Sequence, residues 1–282
     1  MLFVYVIGWL AGSYLLIVLL MYLAQTRLLF PTYLASFAET ELPSSAKRLR
    51  ITAADKTDLA GVVFAPTGER RSQEVLLVGF GGNVWNVESM ALALHRQFPT
   101  MRVAGFHYRG YRPSGGRPSA KGVLADALET FDALQAQLPA SRTIAIGFSI
   151  GTPVAAYLAQ HRTLDGLILV TPFDSLVELA RDHFRWLPVR ALLRHRMSTL
   201  DFMTGVSTPT AMIAAGRDSV VPARRTEPLR RAIPNLVFDR VIPEAEHNDL
   251  YDLPVFWDAL GEAVQAVLSS GGHAQLAQQR PP

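Results

Sequence analysis

A serine stands at the junction between a buried strand pattern and a helix pattern, with a glycine two residues away on either side. Gly147, Ser149 and Gly151 form the sequence G-x-S-x-G, between an apolar strand pattern over residues 143–148 and an Ala-rich helix pattern from about Thr152. A turn this tight leaves little room for side chains at the glycine positions. It also places the hydroxyl at a helix N-terminus, where the dipole favours negative charge. We predict that Ser149 is a catalytic nucleophile; the alternative is an ordinary serine N-cap.

Strand and helix patterns alternate along most of the chain. The strands predicted at residues 75–80 and 143–148 are apolar throughout, which is typical of strands buried on both faces. Helix patterns at residues 87–98 and 121–138 separate strands from one another. The alternation predicts a mostly parallel sheet with helices on both faces and one antiparallel hairpin over residues 48–64. The other predicted elements are strands at residues 102–108, 167–170, 211–215 and 236–242 and helices at residues 152–160 and 253–268.

A serine nucleophile needs a histidine as base and an acid that orients that base. After a serine of this kind the acid comes first and the histidine second, in loops just beyond strand ends. Asp218 follows the strand pattern 211–215, and His247 follows the pattern 236–242. We predict that they complete a Ser-Asp-His triad, with Asp174 as the alternative acid. The other histidines lie in helix or amphipathic patterns, before the serine, or in the tail: His95, His107, His161, His183, His195 and His273.

The loop after the strand pattern 75–80 contains two glycines followed by Asn83. Glycines there let the backbone approach a substrate carbonyl closely, at the position where an acyl-transfer site places its first oxyanion donor. Each such donor is typically worth about 3 kcal/mol of barrier. We predict that the backbone amides of Asn83 and Ile150 form the oxyanion hole; the alternative for Asn83 is an ordinary turn between strand and helix.

Residues 1–24 carry no charged side chain, and only small residues interrupt their apolar run. As a helix they extend about 36 Å, enough to cross a hydrocarbon core of about 30 Å. We predict an uncleaved, single-pass membrane anchor. A cleaved signal peptide is the main alternative, but no Lys or Arg precedes the run and the run is too long for it. The basic residues that follow (Arg27, Lys47, Arg48 and Arg50) favour, on few charges, a cytoplasmic catalytic domain.

Composition excludes several kinds of site. The chain has no cysteine, which rules out disulfides, thiolate metal sites and a cysteine nucleophile. Its net charge is +3 and its basic residues are scattered, so we predict no nucleic-acid partner. No metal or cofactor is predicted: where a dinucleotide fingerprint needs its third glycine, Val84 stands.

After the anchor we predict a connector at residues 25–46, a catalytic domain at residues 47–268 and a disordered tail at residues 269–282.

The stretch that follows the strand ending near Thr171 is too short for a large lid, because only about 37 residues separate Thr171 from Pro209. Arginines and large apolar residues share its middle part, residues 181–196. We predict a pair of amphipathic helices broken at Pro188, with solvated arginines. The alternative is that this face lies on the bilayer and meets acidic lipid headgroups.

Taken together, the motifs resemble the small membrane-anchored α/β-hydrolase-domain proteins of the monoacylglycerol-lipase and serine-aminopeptidase-like branch. The resemblance runs from about Gln25 to Leu268. Besides G-x-S-x-G it rests on residues 28–31 (LLFP), 80–86 (FGGNVWN), 108–111 (YRGY), 171–175 (TPFDS), 216–218 (GRD), 221–222 (VP) and 247–249 (HND). It implies an α/β-hydrolase fold with a minimal lid, preceded by one transmembrane helix. Two positions depart from the group: Gly81 stands where it usually has His, and His107 where it usually has an acid.

The resemblance implies a serine hydrolase of esters or thioesters, often with lipid-like acyl groups, that needs no metal or cofactor. We expect a small-molecule or lipid acyl ester as substrate and an acyl-enzyme intermediate. A serine peptidase or amidase stays open, because the same machinery cleaves amides. A non-catalytic, membrane-anchored interaction protein also stays open, because a fold does not guarantee an activity. Nothing in the sequence indicates the acyl length or the oligomeric state.

Overall fold

One eight-stranded sheet organises the computed structural model, which describes residues 1–35, 40–67 and 74–278. The strands run in the order β1-β2-β4-β3-β5-β6-β7-β8. All neighbours from β4 to β8 are parallel, and β2 pairs antiparallel with both β1 and β4. The strands are β1 (Ala46–Thr52), β2 (Asp58–Phe64), β3 (Val75–Phe80), β4 (Arg102–Phe106), β5 (Arg142–Phe148), β6 (Gly166–Val170), β7 (Thr210–Ala215) and β8 (Leu236–Ile242).

Helices cover both faces of the sheet. They are α1 (Leu2–Leu29), α2 (Val87–Gln97), α3 (Ala120–Gln137), α4 (Gly151–His161), α5 (Leu176–His183), α6 (Val189–Leu192), α7 (Thr199–Phe202), α8 (Ala223–Ala232) and α9 (Pro254–Gln278), with a short 3-10 helix at Leu250–Asp252. Alternate residues of each central strand face opposite layers: Leu76 packs with α3 and α4, and Leu77 packs with α2 and α9. The mostly parallel sheet and the antiparallel hairpin predicted from the sequence are therefore confirmed.

Two helices depart from the sequence-based expectation. The sequence patterns do not predict helix α8, because Pro228 and four arginines interrupt the apolar pattern and only Thr226 and Leu229 are buried. Helix α9 continues to Gln278 instead of ending at Leu268, so the stretch predicted as a disordered tail is helical up to that residue. The last five residues of this extension, residues 274–278 (AQLAQ), are all good helix formers. Residues 279–282 of the predicted tail lie outside the described residues.

Helix α1 is long and apolar enough to cross a bilayer, judged by length and composition, and its most apolar window is not buried against the rest of the protein. It continues past Ala24, where the apolar run ends, as far as Leu29. Its last turns are in contact with the connection between β6 and β7, residues 171–209, which we call the insertion. The insertion contains α5, α6 and α7 and has no large lid, as the sequence predicted.

Candidate active site

Ser149 occupies the sharp turn between β5 and α4. Its φ of +50° lies in the left-handed region, which a serine adopts only where the surroundings enforce it. A Cβ on Gly147 would collide with the backbone of Gly151, and a Cβ on Gly151 would collide with the carbonyl of Phe80. The Ser149 amide donates to the Val170 carbonyl oxygen at 2.9 Å, which ties the turn to β6. Both glycines are thus required by the close approach of neighbouring backbone.

Ser149, His247 and Asp218 form one hydrogen-bonded chain at the carboxyl ends of β5, β7 and β8. Nε2 of His247 lies 2.9 Å from Oγ of Ser149, and Nδ1 lies 2.7 Å from Oδ2 of Asp218. The other carboxylate oxygen of Asp218 accepts hydrogen bonds from the amides of Val220 (2.9 Å) and Val221 (2.6 Å). Because the carboxylate accepts the Nδ1 proton, Nε2 is free to accept the serine proton. The Asp218 side chain is only 3% exposed, so its charge acts in a poorly solvated site.

The alternative acid, Asp174, has a different partner. Its carboxylate accepts a hydrogen bond from Nη1 of Arg225 at 3.0 Å and another from the amide of Ser175 at 2.7 Å. Burial raises the pKa of Asp174, and the positive charge of Arg225 opposes that rise. Asp174 thus joins the insertion to α8, and Asp218 is the carboxylate that the structure brings against His247.

The two predicted oxyanion donors lie in the same cleft as Ser149. Asn83 follows β3 and Ile150 follows the serine, and both line the cleft together with Ser149 and His247. Within the part of the chain that the structure describes, neither backbone amide donates a hydrogen bond to another protein group. Unpaired amides beside a serine hydroxyl are available to a substrate oxygen, which is what an oxyanion hole requires.

A network of side chains holds the Asn83 loop. Nδ2 of Asn83 donates to the carbonyl oxygen of Leu29 at 2.9 Å, and the Tyr111 hydroxyl donates to Oδ1 of Asn83 at 2.6 Å. The Tyr108 hydroxyl donates to the carbonyl oxygen of Gly81 at 2.9 Å. Burial raises the pKa of both tyrosines, so both stay protonated and keep donating. The loop is therefore fastened on one side to the core and on the other to the last residue of α1.

The cleft itself measures about 370 Å³ and is largely apolar. Its walls come from α1, the β3–α2 loop, the insertion, the β7–α8 loop and the segment after β8: Leu28, Leu29, Trp85, Phe173, Leu176, Leu179, Val220 and Tyr251. Trp85 and Tyr251 meet edge to face with ring centroids 4.6 Å apart. Burial raises the pKa of Tyr251 to about 12, so its hydroxyl is neutral at ordinary pH. The sequence does not assign this wall to the site, since no local pattern links Leu28 or Tyr251 to Ser149.

The two positions that depart from the family pattern leave the reacting groups untouched. His107 is buried at a separate pocket lined also by Arg48 and Glu88. A Cβ added to Gly81 would meet Met90 and Trp85 only at ordinary contact distance. Across residues 1–35, 40–67 and 74–278, no group of three or more His, Asp or Glu residues is arranged to hold a metal ion.

Comparison with known proteins identifies the family. Residues 75–191 match the family model of the alpha/beta hydrolase fold. An uncharacterised protein of Mycobacterium tuberculosis is 35% identical over 211 residues, which cover 73% of this chain and 74% of that protein. The chain belongs to the α/β-hydrolase family. Lysophosphatidylserine lipase ABHD12 of Rattus norvegicus is 30% identical to this α/β-hydrolase over 138 residues, which cover 43% of the chain and 35% of the lipase.

Solved structures share the fold of this α/β-hydrolase. An esterase of Pyrococcus furiosus superposes with a TM-score of 0.64 at 16% identity, over 84% of this chain and 97% of that one. A hydrolase of Agrobacterium vitis S4 superposes with a TM-score of 0.61 at 20% identity, over 80% of this chain and all of that one. The fold predicted from the sequence is thereby confirmed, and the protein is a hydrolase of this family.

Proposed function

We propose that this hydrolase is a serine esterase that cleaves carboxylic ester or thioester bonds of lipid-like acyl substrates. The observation that carries the proposal is the hydrogen-bonded chain from Ser149 through His247 to Asp218, beside two unpaired backbone amides. Nucleophile, base, orienting acid and oxyanion donors are the complete set of groups that acyl transfer requires.

The chemistry follows from the hydrogen bonds. His247 takes the proton of the Ser149 hydroxyl as the oxygen attacks the acyl carbon, and the amides of Asn83 and Ile150 stabilise the oxyanion. His247 then gives that proton to the leaving alcohol or thiol, which leaves an acyl-enzyme on Ser149. A water molecule, deprotonated by His247, attacks the acyl-enzyme, and His247 returns that proton to Oγ of Ser149 as the acid leaves. Asp218 stays ionised throughout and stabilises the imidazolium.

Two observations support an acyl ester as the substrate. The cleft around Ser149 is lined mainly by apolar side chains, which suit a hydrocarbon chain better than a charged peptide. A relative with matching sequence is named a lysophosphatidylserine lipase, and a fold neighbour is an esterase. A peptidase would use the same triad, and amide substrates therefore belong in the test below.

We also propose that α1 anchors the protein in a membrane as a single span, with residues 1–24 as its apolar part. Its length of 28 residues corresponds to about 42 Å of helix, and its side chains are exposed along most of that length. The catalytic domain, residues 47–268, then stands at the C-terminal end of the span. The basic residues that follow the helix favour the cytoplasmic side for this domain.

The test is hydrolysis of p-nitrophenyl esters, thioesters and anilides by the full chain in detergent micelles. Ser149→Ala should abolish turnover, with a loss of about 10⁴-fold or more in kcat. Ser207→Ala, a matched change at an exposed serine, should leave turnover unchanged. Equal rates for the wild type and Ser149→Ala would contradict the proposal and favour a non-catalytic interaction protein. Faster cleavage of anilides than of esters would favour an amidase.

A further inference from the structure

A second apolar cavity of about 240 Å³ lies beside the cleft that holds Ser149. One wall is the last part of α1, and the other is the insertion. The cavity is lined by Met21, Leu28, Leu29, Ala180, Leu187 and Leu192, together with other residues of the same two segments. We call this cavity the chamber. Nothing in the mechanism above uses it.

The chamber and the cleft share a wall. Leu28 and Leu29 line both cavities, so these two side chains of α1 lie between the space around Ser149 and the chamber. On the opposite side, Leu179 lines the cleft and its neighbour Ala180 lines the chamber. The two spaces therefore lie end to end along α5, with the serine in the first and none of the reacting groups in the second.

The chamber offers a ligand almost no polar partner. The side chain of Gln25, which lines it, already donates to the carbonyl oxygens of Tyr22 (2.8 Å) and Leu192 (3.3 Å) and accepts from the amide of Arg194 (2.8 Å). These bonds satisfy the amide group of Gln25 and join α1 to the insertion. A space lined almost entirely by apolar side chains selects an apolar occupant.

The position of the chamber along α1 indicates where that occupant comes from. The Tyr14 hydroxyl donates to the carbonyl oxygen of Trp186 at 3.0 Å, so the tip of the insertion lies beside the middle of α1. Only residues 2–13 of the helix lie beyond this contact, and they extend about 18 Å, too short for a hydrocarbon core of about 30 Å. If α1 spans the membrane, the tip of the insertion must enter the adjacent leaflet. The exposed side chains of Phe184 and Trp186 suit that position.

We propose that the chamber is the acyl-chain site of this hydrolase and receives the hydrocarbon tail of a membrane lipid directly from the leaflet. The carbonyl of the same lipid then lies in the cleft at Ser149, with the tail passing Leu28 and Leu29. This assignment rests on the proposed esterase function and names its substrate class, a lipid with an ester-linked acyl chain long enough to fill both spaces.

Filling the chamber tests the assignment. The full chain in nanodiscs is assayed with p-nitrophenyl esters of four and twelve carbons, for the wild type, Ala180→Phe and Leu187→Trp. The ratio of kcat/KM for the long ester to that for the short ester should fall at least about tenfold in both variants, the equivalent of about two methylenes losing their burial. Ala11→Phe, the same change at an exposed position of α1 outside the chamber, should leave the ratio unchanged.

A second measurement does not depend on turnover. A monoacylglycerol with a diazirine at the end of its chain is photo-crosslinked to Ser149→Ala, and the labelled peptides are mapped. We expect labels on residues 180–193 that Ala180→Phe removes. The proposal would be overturned if Ala180→Phe and Leu187→Trp both fold and keep the wild-type ratio of kcat/KM for the long ester to that for the short ester. It would also be overturned if the crosslinks lie only on α1 and Ala180→Phe does not change them. If the wild type hydrolyses no ester, the esterase proposal fails and the crosslinks alone decide the chamber.

Discussion

The two halves of the candidate site are built from different parts of the molecule. Ser149, Asp218 and His247 follow the carboxyl ends of β5, β7 and β8 in one parallel sheet, so the sheet and its short loops set their distances. The binding half, which is the apolar wall of the cleft, combines residues of α1 and the insertion with Trp85 and Tyr251. Helix α1 and the insertion meet through contacts such as Gln25 with Arg194. The proposed triad is thus placed by the sheet and the loops that follow its strands, and the proposed binding surface depends in part on α1.

The difference explains why one half is predictable from sequence. A strand followed by G-x-S-x-G and a helix specifies its own turn, because the glycines are required by neighbouring backbone only a few residues away or on the adjacent strand. The contacts of the binding half join residues far apart in the chain, such as Tyr14 with Trp186 and Leu29 with Asn83. No periodicity or motif encodes such pairs, so Leu28, Leu29 and Tyr251 could not be placed at the site.

The largest expected effect concerns the catalytic half, which is Ser149, Asp218 and His247, and tests which acid orients His247. Asp218→Asn keeps the shape but removes the charge that holds the Nδ1 proton of His247, so kcat should fall by about 10⁴-fold. Asp174→Asn, the matched change at the alternative acid, should leave kcat nearly unchanged and lower the thermal midpoint, because it weakens the pair with Arg225. Both effects are measured by ester hydrolysis and thermal unfolding. A larger loss of kcat in Asp174→Asn would reverse the assignment.

The second prediction addresses the point where the halves meet. Asn83→Ala keeps the backbone amide but removes the hydrogen bonds to Leu29 and Tyr111 that hold the loop. Because even a small displacement of the amide at position 83 weakens its contact with the oxyanion, kcat should fall by about 10- to 100-fold. Asn235→Ala, at a half-buried asparagine remote from Ser149 that also donates to a backbone carbonyl, is the control. An unchanged kcat in Asn83→Ala would mean that the catalytic half is independent of α1.

The smallest effect concerns the pH dependence of the contact between α1 and the insertion. Nδ1 of His195 accepts from the Ala120 amide at 3.4 Å, so the ring proton is on Nε2 and is donated to Oγ1 of Thr26 at 2.7 Å. Burial, with the charge of Arg194, lowers the pKa of His195. The unfolded chain therefore takes up a proton before the folded one does, and stability falls as the pH drops below about 6.5 towards the folded pKa.

His195→Gln should reduce the loss of thermal midpoint between pH 7 and pH 5 by roughly 2 °C. His161→Gln, at an exposed histidine, should leave that loss as it is in the wild type. Burial also lowers the pKa of His95 and His107, so a pH-dependent loss remains in His195→Gln. If His195→Gln loses as much thermal midpoint between pH 7 and pH 5 as the wild type, the contact of His195 with α1 does not contribute to the acid sensitivity of the protein.

Composition alone does not predict where α1 ends or which groups the arginines of the insertion contact. The apolar run ends at Ala24, but the helix continues to Leu29, because Gln25 and Thr26 find hydrogen-bond partners on the insertion. The sequence predicts either solvated or lipid-facing arginines on the insertion. Arg181 and Arg190 pair with Glu178, but their side chains stay 41% and 66% exposed, in line with the expectation of solvated arginines. The Arg194 guanidinium lies 4.9 Å from the centre of the Tyr22 ring, a partner that only the tertiary structure supplies.

The hydrogen bond from Asn83 to the Leu29 carbonyl has a mechanical consequence. A membrane helix tilts when the hydrocarbon thickness around it does not match its length. Because the last residue of α1 is bonded to the loop that carries the proposed oxyanion donor Asn83, tilting of α1 should displace that loop. We therefore expect the rate of hydrolysis to vary with the thickness of the surrounding bilayer, even for a water-soluble ester that never enters it.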